Sequence, residues 1–95
     1  MSVFLSATVK VKNPEKLKEY ISQVPATIAA HGGEKVSRGR VNKVLAGDIE
    51  HQIAAVFRFP SLEAVETWYA SEEYQKLIPI REEGAQMNIV VLDEF

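Results

Sequence analysis

The sequence contains no cysteine. Disulfide bonds, thiolate nucleophiles and cysteine-ligated zinc or iron–sulfur centres are therefore excluded. The chain also lacks a block of lysine and arginine, because its 11 basic and 13 acidic residues are interspersed and the formal net charge is −2. This charge pattern argues against nucleic acid or an anionic membrane as a partner.

No apolar stretch in the sequence approaches the roughly 20 residues that a membrane-spanning helix needs. The N-terminal segment alternates in polarity, so it predicts a strand and not a signal peptide. A chain of 95 residues builds one core, so we expect a single cytoplasmic domain over residues 1–95. Self-association would help to stabilise so small a core.

The first half of the chain predicts a strand and then a helix. Apolar residues alternate from Val3 to Val11, the period of a half-buried strand. Asn13 and Pro14 suit the N-cap and the first position of a helix, which Gly32-Gly33 would end. An apolar stripe supports this helix at Leu17, Tyr20, Ile21, Val24 and Ile28. Pro25 lies within the stripe and should kink or divide the helix.

Two strands that form a hairpin are predicted next. Residues 34–46 predict a polar strand, in which Gly39 suggests a bulge or bend. Gly47-Asp48 is a turn signal. Residues 52–59 are apolar on both faces, which is typical of a central strand.

The last third of the chain predicts two capped helices and a final strand. Ser61 caps a helix whose inner side is formed by Leu62, Val65, Trp68 and Tyr69. Ser71 caps a short helix that runs through Leu77, and Pro79 can open a further turn. Residues 87–95 predict a strand that is again apolar on both faces.

This order of elements predicts an α+β, ferredoxin-like βαββαβ fold, with a four-stranded antiparallel sheet and both helices on one face. Helices on one face leave the other uncovered, yet that face would carry Ala54, Val56, Val90 and Leu92. An uncovered apolar sheet face indicates a partner surface, and twofold pairing is the commonest solution. We therefore expect a homodimer; the alternative is a monomer with scattered surface aliphatic residues.

A site for a small organic molecule is predicted at six residues: Tyr20, His31, Arg38, Trp68, Tyr74 and Arg81. In this hypothesis the arginines hold a carboxylate or enolate oxygen, and His31 or Tyr74 handles a proton. Each residue also has a structural interpretation: the aromatic rings fill the core, the arginines form surface ion pairs, and His31 interacts with the last carbonyls of its helix.

Motifs for other chemistries are missing. The sequence has no Ser/His/Asp set and no phosphate-binding loop, and adjacent glutamates do not form a catalytic pair. His31 and His51 lack a carboxylate at helical ligand spacing, so we predict neither a metal nor a cofactor. Heme binding is a third hypothesis that depends on His31 alone.

Motifs spread over most of the sequence resemble those of a known family, the domain-of-unknown-function family thirteen-thirty, which belongs to the dimeric α/β-barrel superfamily. The resemblance rests on Tyr20, His31-Gly32-Gly33, Arg38-Gly39, Leu45-Ala46-Gly47-Asp48, Phe59-Pro60-Ser61, Trp68-Tyr69-Ala70-Ser71, Glu73-Tyr74-Gln75 and Arg81. Two positions depart from the family. His31 stands where Tyr is frequent, and His51-Gln52 stands where Pro-Arg is frequent, which removes an arginine.

The resemblance implies ferredoxin-like subunits whose sheets pair into a dimeric barrel. It implies no established activity, because the superfamily includes cofactor-free monooxygenases, small isomerases and structural domains. Two hypotheses therefore remain: a cofactor-free enzyme or binder of a small carboxylate or aromatic molecule, and a non-enzymatic dimerisation or stress-associated module. An open cavity of several hundred Å3 between sheet and helices would favour the first.

Overall fold

The computed structural model describes residues 2–95. Four strands form one antiparallel sheet in the order β2-β3-β1-β4, and the helices cover one of its faces. The predicted ferredoxin-like fold is confirmed. Along the chain the elements are β1 (Val3–Val11), α1 (Pro14–Ala29), β2 (Glu34–Arg40), β3 (Ile53–Phe59), α2 (Leu62–Ala70), α3 (Glu72–Gln75), α4 (Ile78–Gly84) and β4 (Ala85–Asp93).

Side-chain caps set the helix starts that the sequence predicts. The Asn13 carboxamide oxygen accepts from the backbone N–H groups of Glu15 and Lys16, at 3.1 and 3.2 Å. The hydroxyls of Ser61 and Ser71 accept in the same way at the starts of α2 and α3. After α1, Gly32 has a φ of 80°, the left-handed conformation that glycine adopts without strain.

Pro25 does not divide α1, which is one helix from residue 14 to residue 29. Of the two predicted effects of Pro25, a kink or a division, the division was therefore wrong. Leu17 and Tyr20 are buried before the proline, and Val24 and Ile28 are buried beside and after it. Packing on both sides of Pro25 therefore holds the helix together, despite the backbone donor that the proline lacks.

Strand β2 is shorter than predicted and has its irregularity elsewhere. It ends at Arg40 and not at residue 46, and one further backbone hydrogen bond, from Val41 to the Gln52 carbonyl, follows it before the exposed loop. Of the two irregularities predicted at Gly39, a bulge or a bend, the bulge was wrong, since Gly39 pairs regularly with Ala54. The register shifts at Val36 instead, between Lys35 and Ser37. There β2 carries one residue more than β3 opposite it, which is a β-bulge.

The core lies between the sheet and the helices, and three aromatic rings are among its largest fully buried side chains. Phe59, Trp68 and Tyr74 are at most 1% exposed. The Trp68 ring centroid lies 5.6 Å from that of Phe59 and 4.4 Å from that of Tyr74. Leu62 departs from the prediction because half of its surface is exposed, at the solvent side of α2.

The second face of the sheet has no helix over it among residues 2–95. Val90 and Leu92 on β4 are each 49% exposed there. The register places Phe4 beside Leu92, and it places Ser6 between Val90 and Val56. Arg58 bridges one edge of this face, with its guanidinium 5.3 Å from the Phe4 ring centroid and 3.1 Å from the Glu34 carboxylate. Within the same residues, every helix is too short or too polar to cross a lipid bilayer.

Candidate functional site

A cavity of about 310 Å3 lies between α1 and the covered face of the sheet. This volume is at the lower end of the range for small-molecule sites. The walls are mainly aliphatic and aromatic, and they include Leu5, Ala7, Val9, Val24, Ile28, Ala55, Phe57 and Ile89. Glu34, Lys35 and Arg38 also line it, and they lie at its solvent end because all of β2 is exposed.

The bulge at Val36 explains why two cations reach this cavity. In a regular strand, residues three apart point to opposite faces. Lys35 nevertheless pairs with Phe57, and Arg38 pairs with Ala55, so both lie on the cavity side. The extra residue at Val36 shifts the alternation by one position between them. The cavity therefore has an apolar interior and two cations at its opening, and the carboxylate of the neighbouring Glu34 is paired with Arg58, 3.1 Å away.

A hydrogen-bonded chain of three side chains extends behind the cavity wall. The Tyr20 and Tyr74 hydroxyl oxygens are 2.8 Å apart, and Arg81 Nη1 donates to the Tyr74 hydroxyl, also at 2.8 Å. Tyr20 lines the cavity, whereas Tyr74 is 0% exposed and lies behind it. Burial, and next the neighbouring Tyr74, raises the pKa of Tyr20 above its ordinary value. Tyr20 is therefore a neutral hydrogen-bonding group at physiological pH.

Arg81 is held by protein groups outside the cavity. Its guanidinium donates to the hydroxyls of Tyr74 and Tyr69 and lies 3.3 Å from the Glu82 carboxylate. Burial lowers the pKa of Arg81, but the hydrogen bonds to Tyr69 and Tyr74 outweigh burial and raise it overall. The guanidinium is therefore a permanent charge whose donors point at two tyrosines.

Trp68 and His31 differ in their relation to the cavity. Trp68 contributes to the wall, and its indole N–H donates to Thr27 Oγ1 at 3.0 Å, so the ring is both packed and hydrogen-bonded. His31 follows the end of α1, where its backbone N–H donates to the Ile28 carbonyl. Its side chain is partly exposed and does not line the cavity.

Of the six residues predicted for a site, Tyr20, Arg38 and Trp68 line the cavity. Tyr74 and Arg81 reach it only through Tyr20, and His31 lies apart. Sequence reasoning missed Lys35, because its position opposite Phe57 follows from the strand register. It also missed the Tyr69 hydroxyl, which accepts from Arg81 although Tyr69 was expected on the inner side of its helix.

A second, wider groove of about 890 Å3 lies between residues 41–53 and the start of α1. Arg38 and Arg40 lie along it, as does His51, whose Nε2 atom has no hydrogen-bond partner within the described residues. Three or more metal-ligating side chains do not come together anywhere in residues 2–95. The cavity between α1 and the sheet is less open than this groove and has apolar walls, so it is the better candidate for a binding site.

The sequence profile of a family described as a domain of unknown function, DUF1330, matches residues 2–95. The chain belongs to this family. The resemblance noted from its motifs is therefore confirmed over nearly the whole sequence. No curated protein matches this DUF1330 chain in sequence.

Solved structures with the same fold include proteins of unknown function and one oxygenase. A protein of unknown function from Rhodopseudomonas palustris has a TM-score of 0.86 at 15% identity, covering 99% of this chain and 82% of its own. A dimeric ferredoxin-like protein of unknown function from Jannaschia sp. CCS1 has a TM-score of 0.81 at 8% identity, covering 99% and 100%. SnoaB, a cofactor-independent oxygenase from Streptomyces nogalater, has a TM-score of 0.74 at 10% identity, covering 99% and 93%. At these identities, the likeness of the DUF1330 chain to all three concerns the fold alone.

Proposed function

We propose that this protein is a homodimer in which each subunit binds a small organic carboxylate in the cavity between α1 and the sheet. The observation that carries the proposal is the combination of an apolar interior of about 310 Å3 with two cations at its opening. An aliphatic or aromatic body would displace water from the apolar walls, which is favourable. The carboxylate would stay at the solvent end, beside Lys35 and Arg38.

Arg38 is the main anion-binding group in this proposal. Neither Arg38 nor Lys35 forms an ion pair within residues 2–95, so their charges are not already neutralised by a protein carboxylate. A guanidinium presents paired N–H donors that match the two oxygens of a carboxylate. Arg81 is less suited to this role, because Tyr69, Tyr74 and Glu82 already occupy its donors.

The homodimer is supported by the uncovered face of the sheet. Val90 and Leu92 are half exposed on it; Phe4 lies beside Leu92, and Val56 lies two strands from Val90, across Ser6. Two copies of this face, related by a twofold axis, would remove the apolar side chains from water. The Jannaschia neighbour is a dimeric ferredoxin-like protein, which supports this arrangement.

The binding experiment is a thermal-shift and calorimetric screen of aryl and alkyl carboxylates against the wild-type protein and the variant R38Q. A ligand at about 100 times its Kd stabilises the folded state by about 2.7 kcal/mol, which is readily measured. We expect R38Q to weaken binding at least tenfold, since it removes a charge-assisted contact. R40Q is the matched control, because Arg40 lies on the same strand but outside the cavity. Equal losses in both variants, or no binding to the wild type, would contradict the proposal.

A more specific form of the proposal is that the same site catalyses a reaction without a cofactor. SnoaB shows that a protein of this fold can be a cofactor-independent oxygenase. In the present chain, Tyr20 is the hydroxyl-bearing residue among those that line the cavity, and a neutral tyrosine is suited to donating a hydrogen bond to a bound oxygen atom. A reaction would appear as turnover of a carboxylate identified in the screen, in the absence of any added metal or cofactor.

A non-enzymatic dimerisation or stress-associated module is the second candidate function. The complete burial of Trp68 and Tyr74 favours it, because both rings are then explained by packing and hydrogen bonding alone. This interpretation expects no ligand-dependent stabilisation by any carboxylate, together with an intact dimer. The screen therefore separates the two functions.

A further inference from the structure

The hydrogen-bonded chain from Arg81 to Tyr20 has a direction. A guanidinium has donors only, so the Tyr74 hydroxyl oxygen must accept the 2.8 Å hydrogen bond from Arg81. Tyr20 and Tyr74 then share one hydrogen bond between their hydroxyl oxygens, also 2.8 Å long. Each hydroxyl carries one proton, and the shared bond uses only one of them. One hydroxyl proton therefore remains without an acceptor.

Burial decides which hydroxyl keeps the free proton. Tyr74 is 0% exposed and does not line the cavity, so a free proton there would be a buried donor without a partner. Such donors are costly and rare. Tyr20 lies in the cavity wall, where an acceptor can be supplied from outside the protein. The favoured order of donation is therefore Arg81 to Tyr74, and Tyr74 to Tyr20.

We propose, on the basis of the function proposed above, that the Tyr20 hydroxyl donates a hydrogen bond to a neutral oxygen of the ligand. The ligand class is thereby narrowed to carboxylates that also carry a carbonyl or hydroxyl group on an apolar body. Tyr74 and Arg81 are positioning residues, which fix the direction in which Tyr20 donates and polarise its O–H bond.

The position of the charges explains why the second oxygen is neutral. Lys35 and Arg38 lie at the solvent end of the cavity, whereas Tyr20 is 5% exposed among apolar walls. A second anionic group beside Tyr20 would be desolvated without a cation in contact with it, which is strongly unfavourable. A carbonyl or hydroxyl oxygen needs only the one hydrogen bond that Tyr20 can give.

Matched ligand pairs test this inference separately from the proposed function. One pair is 4-acetylbenzoate and 4-isopropenylbenzoate, which differ by replacement of the carbonyl oxygen with a methylene group. The second pair is 4-(4-acetylphenyl)butanoate and its isopropenyl counterpart, which cover a longer span. We expect the wild-type protein to prefer the acetyl member of at least one pair by about fivefold, the range of one neutral hydrogen bond.

The variants assign that preference to particular hydroxyls. Y20F should abolish it while both ligands of the pair still bind, and Y74F should reduce it. Y69F is the control, because the Tyr69 hydroxyl bonds Arg81 but not Tyr20. The infrared carbonyl stretch of the bound acetyl ligand gives a second readout: it should lie at lower frequency in the wild type than in Y20F. A merely structural role of Tyr20 would not move this frequency.

The outcomes are distinct. Equal wild-type affinities for both members of both pairs, with R38Q still weakening binding, would overturn the inference and leave the carboxylate site standing. A preference that survives in Y20F would also overturn it. If none of the four acids binds the wild type at millimolar concentration, the proposed carboxylate site fails and the inference fails with it.

Discussion

The hydroxyl oxygens of Tyr20 and Tyr74 lie 2.8 Å apart, although 54 positions separate the two residues. Their rings meet edge to face, with centroids 6.3 Å apart. Tyr20 belongs to α1 and Tyr74 to α3, so this contact joins the two halves of the chain. It also connects the cavity wall to the partly buried guanidinium of Arg81.

Removal of the Tyr74 hydroxyl should destabilise the fold more than removal of the Tyr20 hydroxyl. Y74F deprives both Tyr20 and Arg81 of a partner, whereas Y20F deprives only Tyr74. We expect Y74F to lower the free energy of unfolding by about 1–3 kcal/mol and Y20F by about 1 kcal/mol. Urea unfolding at pH 7 measures both, and the double variant should show that the effects are not additive. Equal and additive losses would contradict a connected chain.

Stability should fall at alkaline pH in a way that depends on Tyr20. Burial raises the pKa of Tyr20 in the folded protein above the value of about 10 in the unfolded chain. The folded state therefore binds the Tyr20 proton more tightly than the unfolded state does. The stability that this difference contributes is present in full below about pH 10 and is lost as the pH rises above about 10. Between pH 10 and 11, wild type should lose up to about 1.4 kcal/mol more than Y20F.

Urea titrations of the two proteins at several pH values give that difference directly. Ionisation of lysines and of the other tyrosines contributes to both curves, so Y20F serves as the control. Parallel curves above pH 10 would show that Tyr20 is not the group responsible.

G84A should destabilise the protein strongly. A Cβ atom at Gly84 would lie 2.6 Å from the backbone nitrogen of Leu17, and backbone cannot move aside as a flexible side chain can. The Gly84 carbonyl also accepts from the backbone N–H groups of Lys12 and Asn13, which fixes the start of α1 against the end of α4. Overpacking of this kind costs about 1–3 kcal/mol. Thermal and urea unfolding measure it.

G39A is the control for that substitution. A Cβ atom at Gly39 meets no other atom within 4 Å, and the residue has no unusual backbone angle. We expect a change within about 0.5 kcal/mol, as for other surface positions. Similar losses in G84A and G39A would mean that close packing at Gly84 is not the cause.

A lysine on the uncovered sheet face should break the proposed dimer. Val90 is 49% exposed on that face, and V90K would place a charge within the apolar contact. Light scattering should give a mass of twice 10.6 kDa for the wild type and 10.6 kDa for V90K. V44K is the matched control, because Val44 is 44% exposed on the loop that follows β2. A wild-type monomer at micromolar concentration would refute the dimer.

The fold was predictable because its signals are local. Alternation in β1, the Asn13 and Ser61 caps and the Gly32 turn each act within a few residues, and the order of elements then selects the topology. The cavity residues were only partly predictable. Tyr20 and Arg38 could be proposed as polar groups, but the hydrogen bond between Tyr20 and Tyr74 depends on how α1 and α3 pack.

The position of the bulge illustrates a limit of sequence reasoning. Gly39 is the residue in β2 that usually marks an irregularity, yet it pairs regularly. The register shift occurs at Val36, a β-branched residue that favours regular strands, and Val36 has a negative φ. The bulge therefore results from how β2 pairs with β3, and no single residue of β2 predicts it.

The bulge at Val36 also affects how related chains should be aligned. A relative whose second strand is regular would present the same two cations to its cavity as Lys-Xaa-Arg, one residue shorter than Lys35 to Arg38. An alignment without a gap would pair Arg38 with a residue of the opposite sheet face. An alignment should therefore place the gap at Val36. Relatives with and without the bulge then differ in the spacing of the two cations along the chain, while both cations keep their position in the cavity.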